Sequence, residues 1–392
     1  MLKEISIDEL AVGMYVHSIA TQTGDLKIKT RGMVSSWDTI RDLKRKGIQS
    51  LIIDPEKQKQ RQKSGVPEVL PDEDKDVSVS YDTEIGRARF LHDQGKVLMK
   101  RLLTAMELGS PPEPEVVDEY ADRVIASSKR NPDALMTLTR IRDKGGYQME
   151  HATNVSVLMA RFAQFRQMSE GEVHALTLAG LMHDLGMVLI PDSLLEKEAA
   201  LSAHEREMVQ THVEKSLSDL RKQAVFPAEA IQAIAEHHER LDGSGYPDGL
   251  KGDHISLYGR MLAIVDSFDA MTAERPYRKA MPTSKALKIL LQAPELYDET
   301  LVQQFVKCVG VYPTGSLVRL DNGKVGMVIR QNEKLPLQPR IKVFYSQTAG
   351  HYLPPKVYDL ATPRMNFDIE RAILPEELGI DFVRFFNTSI AP

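Results

Sequence analysis

Cysteine is almost absent: Cys308 is the only one in 392 residues. A lone thiol forms no intramolecular disulfide and no cysteine-based metal site, and its place in a helix-like run marks it as a buried structural group. Such usage fits a reducing cytoplasm, the expected location. Long apolar runs are absent too. Nowhere do about 18 apolar residues follow one another as a helical membrane span requires, and Met1-Leu2-Lys3-Glu4 lacks the basic-then-apolar pattern of a signal sequence. Excess charge is the third absence: 50 basic residues face 55 acidic ones, for a formal net charge of -5. That balance argues against a nucleic-acid polymer or a lipid surface as the main partner, while leaving room for a basic pocket. The length allows two or three domains around a sizeable core.

What is present changes character along the chain. Residues 1–55 predict a small N-terminal α/β, strand-rich domain of regulatory or docking type. Its strands are expected at 14–19, 26–30 and 51–53, and its helix at 36–46 between a Ser36 cap and a Gly47 stop. Residues 56–80, basic in the first half and acidic in the second, read as a charged, solvated linker. From 81 to 310 the spacing is helical, with Ile85, Leu91, Leu98, Leu102 and Met106 on one face. Further helices are predicted over 116–128 and 133–144, and another opens near Gln148. In 311–392 the period shortens: two strands flank an Asp321-Asn322-Gly323-Lys324 turn and a third covers 341–345, a C-terminal β appendage.

Chemistry concentrates where His237-His238-Glu239 runs into the glycine-rich turn from Asp242 to Leu250. Upstream, Ile231, Ile234 and Ala235 read as the amphipathic end of a helix. Helical neighbours point ~100° apart, so the two rings can approach one metal cluster from different directions while Gly243 and Gly245 let the backbone turn tightly. Taken alone, an exposed helix end explains this stretch equally well. His151, His183-Asp184, His212 and Asp266 add weight, since all lie in or beside apolar helical runs. Burying an unpaired carboxylate costs roughly several kcal/mol, so Asp184 and Asp266 need cations or hydrogen-bond partners. Five imidazoles and two carboxylates exceed what one tetrahedral zinc needs and suit two six-coordinate ions bridged by a carboxylate. Two ions about 3.5–4 Å apart polarise a bridging hydroxide and clamp phosphodiester oxygens during in-line displacement. Hydrolysis of a phosphate ester is the expected chemistry.

Leu181-Met182-His183-Asp184-Leu185-Gly186 and the 237–250 stretch together resemble the HD-GYP family of cyclic-dinucleotide phosphodiesterases, over about residues 140–310. Ile190-Pro191-Asp192, Thr211-His212 and the run from Asp266 through Lys279 extend the likeness. Ahead of it, the residues from Glu9 to Val16 resemble a small bacterial domain of unclear function often found before HD-GYP domains. The resemblance implies a mainly α chain built on an all-helical HD-superfamily phosphohydrolase core. It implies His151, His183, Asp184, His212, His237, His238 and Asp266 as metal ligands, with Asp184 as the bridge and the His183–Asp184 pair at the catalytic centre. Arg275, Arg278 and Lys279 match the family's basic segment and Tyr246 its signature turn, so these four are expected at the substrate.

The implied cofactors are two divalent metal ions, iron or manganese. The implied reaction opens cyclic di-GMP to pGpG and onward to GMP, or acts on a hybrid cyclic GMP-AMP. Two positions depart from the family. Met187 stands where many members carry a lysine, and Tyr147 stands where three-metal members carry a glutamate, which favours two metals. Met187 also supports a second reading, a weakly active receptor that binds the dinucleotide and signals to a protein partner through the Gly-Tyr-Pro turn or the N-terminal domain. A mononucleotide phosphohydrolase of the wider HD superfamily is disfavoured, because those enzymes lack the Gly-Tyr-Pro segment.

Overall fold

The computed structural model describes residues 3–7, 14–22, 32–33, 43, 48–54, 78–110, 113–141, 146–197, 199–222, 226–274, 279–332, 334–363 and 365–386. The chain divides into two compact units, Met1–Asp72 and Glu73–Pro392. In the first, β1 (Lys3–Ser6), β2 (Tyr15–Gln22), β3 (Gly32–Met33) and β4 (Ile48–Ile53) form an antiparallel sheet in the order β1-β4-β2-β3. In β4, Leu51 and Ile53 are buried with the period-two spacing of a strand, and Ile48 is buried beyond a register irregularity in its pairing with β2. Ile5 pairs with Leu51 across the sheet, and Ile7, Val16 and Leu43 complete this small core. The expected strand over 26–30 and nearly all of the expected helix over 36–46 and the linker lie outside the described residues.

The second unit is helical as far as Val309. Helix α1 (Tyr81–Glu107) starts on Ser80, whose hydroxyl accepts the Thr83 N–H, and α2 (Pro114–Arg130) carries its proline in the first turn, where no N–H is needed. Helix α3 (Pro132–Leu138) is shorter than the predicted 133–144. Its run leaves the helix because Thr139 turns its hydroxyl back to the Met136 carbonyl, and Arg140 reaches Asp269 and Thr272. Helices α4 (Tyr147–Phe165) and α5 (Glu170–Met182) pack closely, since Gly180 lies where a Cβ would meet the Ser156 backbone at 2.8 Å. Next come a 3-10 turn (Leu185–Leu189), α6 (Asp192–Leu195), α7 (Ala203–Gln210), α8 (His212–Lys222), α9 (Ala228–Glu236), α10 (Leu257–Thr272), α11 (Thr283–Leu291) and α12 (Glu299–Val309). Phe162, Phe268 and Phe305 meet edge to face at 5.2–5.3 Å in the middle of the bundle, an arrangement that adds quadrupole attraction to area burial.

A five-stranded antiparallel sheet follows, in the order β8-β7-β6-β5-β9: β5 (Leu317–Leu320), β6 (Lys324–Arg330), β7 (Arg340–Ser346), β8 (His351–Asp359) and β9 (Ile369–Ile373). The expected hairpin and third strand are β5 to β7. Strand β8 carries Pro354-Pro355 and is exposed along most of its length, which an edge strand tolerates because its outer N–H groups pair with nothing. Helix α13 (Phe382–Phe385) closes the sheet through Phe385 stacked on Phe344 at 5.0 Å. Cys308 is buried, which pushes its thiol up to about 12, as befits a structural group.

Candidate metal centre

Three helix ends and two helix interiors deliver the seven predicted ligands to one place. His183 follows α5, His237 follows α9, and His212 opens α8 directly after α7. Each of these three rings donates Nδ1–H to the carbonyl three residues earlier: His183 to Gly180 at 3.0 Å, His212 to Val209 at 2.7 Å and His237 to Ile234 at 2.7 Å. That bond fixes the tautomer and leaves Nε2 with a lone pair. The three Nε2 atoms, together with Oδ1 of Asp184, are buried and have no hydrogen-bond partner. An unmet buried acceptor costs about 1–3 kcal/mol, so four converging ones mark a place built for cations.

The donor atoms fall into two groups, each close enough to hold one ion: Asp184, His212, His237 and His238, and His151, His183 and Asp266. Asp184 faces both. Its Oδ1 lies 3.3 Å from His212 Nε2 and 3.7 Å from His237 Nε2, and its Oδ2 lies 3.5 Å from His183 Nε2 and 3.9 Å from His151 Nε2. His238 and Asp266 stand 3.9 Å apart across the pair of groups. The cluster opens outward at Asp184 and His238, whose side chains are 18% exposed, whereas His183 and His237 are closed off at 0%.

Electrostatics divide the donors: two rings are held neutral, whereas at His212 burial is outweighed by the neighbouring Asp184 carboxylate, which raises the ring above its ordinary value. Burial holds the His183 imidazole down near about 4, a neutral ring at neutral pH, and burial together with the neighbouring His237 holds His238 well below the usual range. Burial pushes the Asp184 carboxyl up, but His183, His212 and His237 outweigh it and hold the group well below its ordinary value. Burial alone would lower His151. Hydrogen bonds with Asp266 and Asp269 outweigh it and raise that ring to about 9.

Comparison with known proteins fits this geometry. A family model described as an HD domain matches residues 128–301, a domain of unknown function matches 2–117, and a KOW domain associated with HD domain matches 317–380. A cyclic di-GMP phosphodiesterase of Pseudomonas aeruginosa is 31% identical over 369 residues, covering 92% of this chain and 89% of that protein. The chain belongs to the HD-GYP family of cyclic-dinucleotide phosphodiesterases. Other relatives match over shorter spans. A cyclic di-GMP phosphodiesterase of Thermotoga maritima is 32% identical over 223 residues, 56% of this chain and 59% of that one. The 3'3'-cGAMP-specific phosphodiesterase 3 of Vibrio cholerae is 40% identical over 173 residues, 44% of this chain and 35% of that one.

The turn that gives HD-GYP proteins part of their name is held by Glu239, a residue the sequence reading passed over. Its buried carboxylate accepts the N–H groups of Asp248, Gly249 and Leu250 at 2.8–3.1 Å. Gly245 must be glycine, since a Cβ there would sit 2.5 Å from the backbone of His238, Glu239 and Arg240. Tyr246 thereby leans on His238, ring centroids 4.6 Å apart. Asp242 braces only its own turn, accepting the Ser244 N–H at 2.8 Å. Asp269 was also missed. It receives His151 Nδ1–H at 2.8 Å and Arg140 Nη2–H at 3.1 Å, so it orients the ring whose Nε2 faces Asp266 at 3.1 Å. The i, i+3 spacing of Asp266 and Asp269 on one face of α10 was the available signal. Arg275 and Arg278 lie outside the described residues, and Lys279 is exposed.

Proposed function

We propose that this chain hydrolyses cyclic di-GMP to linear pGpG, and onward to GMP, at two divalent metal ions, iron or manganese, held by His151, His183, Asp184, His212, His237, His238 and Asp266. The observation that carries the proposal is the set of orphaned, buried Nε2 atoms around a carboxylate whose two oxygens face different halves of the cluster. Imidazole and carboxylate donors of this number suit six-coordinate first-row ions better than a four-coordinate zinc. A bound pair of such ions activates water and stabilises the charge that develops on the phosphodiester.

The chain's own residues do the rest. Asp184 would serve both ions, since its two oxygens face the two donor groups. Asp269 and the three helix-end carbonyls keep the ring proton on Nδ1 in His151, His183, His212 and His237, away from the donor atom. Glu239 and Gly245 set the turn that brings Tyr246 to the open side of the cluster. Arg275 and Arg278 supply planar forks for phosphate oxygens and Lys279 a mobile point charge. The experiment is anaerobic loading with iron or manganese followed by product analysis: pGpG from cyclic di-GMP supports the proposal, and an intact substrate after hours refutes it. The cGAMP-specific name of the Vibrio cholerae relative makes the hybrid dinucleotide the comparison substrate. Met187 favours the receptor reading, in which a protein partner meets the Gly-Tyr-Pro turn or the N-terminal domain. Dinucleotide binding without turnover in the parent, and turnover in Met187→Lys, would establish that reading instead.

A further inference from the structure

A groove of about 470 Å³ opens beside the cluster, between the end of α7, the first two turns of α8 and the Gly-Tyr-Pro turn. Gln210, Thr211, Lys215, Ser218, Tyr246 and Pro247 line it. Tyr246 belongs to both places: its ring leans on His238 and also forms a wall of the groove. Anything that fills the groove therefore touches a side chain in contact with a metal donor. The volume falls in the range of small-ligand sites and is modest for one.

Charge gives the groove its direction. Two glutamates stand at its edge, but Glu214 turns both carboxylate oxygens to Arg221 at 3.1 Å, and Glu207 is exposed with His204 3.9 Å away. Lys215 is the basic residue of the lining. Its ammonium donates to the Leu189 carbonyl at 3.2 Å, and no carboxylate approaches it among the described residues. The stem is half-buried and fixed where α8 crosses the turn that follows Asp184. A Cβ on Gly186 would lie 2.9 Å from Lys215 Cβ. That turn, Leu-Gly-Met-Val-Leu, carries no charge of its own. Lys215 is thus a positioned cation with no carboxylate partner among the described residues, in a groove that shares Tyr246 with the open side of the donor cluster.

A cyclic dinucleotide carries two phosphates in one ring, and only one can sit at the metals. The other must lie to the side, still charged and still in need of a partner. We propose that Lys215 binds the phosphate that is not being cleaved, while the Tyr246–Pro247 face of the same groove receives the attached nucleoside. This assignment rests on the reading of the site as a cyclic-dinucleotide hydrolase. A cation held in place by a backbone carbonyl loses less freedom on binding than a free surface lysine, so its contact registers more fully in affinity.

The test compares the metal-loaded full chain with Lys215→Gln and Lys215→Arg, measuring metal content and then kcat and KM for cyclic di-GMP and for bis(p-nitrophenyl) phosphate. The second compound has one phosphate and cannot reach the groove and the cluster together. With Lys215→Gln, KM for cyclic di-GMP should rise on the order of tenfold or more, as expected for one lost charge-assisted contact. The ratio of the two kcat/KM values should fall by a similar factor at normal metal content, and Lys215→Arg should recover most of it. An unchanged ratio overturns the assignment, as does an equal loss on both substrates, which would place Lys215 with the metal site or the fold. If the parent binds cyclic di-GMP without cleaving it, the dissociation constant replaces KM. A Lys215-dependent constant then keeps the assignment while the hydrolase reading fails.

Discussion

Asp269→Asn isolates how a residue outside the ligand set controls the cluster. Asp269 is fully buried, accepts a hydrogen bond from His151 Nδ1–H at 2.8 Å and pairs with Arg140 at 3.1 Å. Asparagine keeps the shape and removes the charge. If its amide nitrogen turns inward, Nδ1 must accept and the ring proton moves to Nε2, the atom that faces Asp184 and Asp266. Either orientation weakens the basicity of Nε2. Loss of such a supporting carboxylate lowers metal affinity by about ten- to a hundredfold, or roughly 1.4 to 2.7 kcal/mol. Arg140 also loses a charged partner in a buried position, which costs on the order of 1.5–3 kcal/mol of stability with or without metal. Dialysis against graded chelator followed by elemental analysis reads the first effect, and thermal melts of the stripped protein read the second. Parent-like metal retention would refute the role of Asp269, and a stability loss without metal loss would confine it to the fold.

Gly186→Ala should loosen the site from another side: a Cβ there collides with the His212 carbonyl oxygen and lies 2.7 Å from Ser216 N. The turn after Asp184 must then move from α8, at a cost of about 1–3 kcal/mol of stability and with weakened metal retention; a parent-like melt would contradict this. Arg275→Ala and Lys279→Ala should cut cyclic di-GMP turnover by roughly ten- to a hundredfold at normal metal content, the worth of a charge-assisted hydrogen bond at about 1.5–3 kcal/mol, and unchanged kinetics would return both to the solvated surface. Burial raises the Cys308 thiol from 9.0 to about 12, so the native protein should resist thiol reagents at pH 8 and react only when unfolded. Because the unfolded thiol ionises first, stability should also decline as pH rises above about 9; rapid labelling of the native protein would contradict the burial.

Local features were legible in the sequence because their causes are local. The periodicity of Ile85, Leu91, Leu98 and Leu102 is that of α1, and the Asp321–Lys324 turn joins the strands predicted on either side of it. The His183-Asp184 and His237-His238 pairs pointed to one cluster, and the structure brings all seven expected donors together. What escaped depends on contacts across the chain. Asp269 stood in plain view within the Asp266–Lys279 run, but its role comes from a ring 118 positions earlier. Arg140 read as part of a helix that it leaves in order to reach Asp269, 129 positions later. Strand β8 was hidden by Pro354-Pro355, which only an edge position permits. Glu239 carried no role in the sequence, because its three amide partners converge only once the turn has formed.

Asp184 turns its two oxygens to the two donor groups and is therefore expected to hold two ions together. Elemental analysis of anaerobically loaded parent and Asp184→Ala protein tests it without any assay of activity. The parent should hold two metals per chain and the variant should lose both, since removing the shared carboxylate strips a donor from each half of the cluster and leaves two cations facing each other unscreened. Full metal content in Asp184→Ala would contradict the bridge, and one or three metals in the parent would contradict the pair.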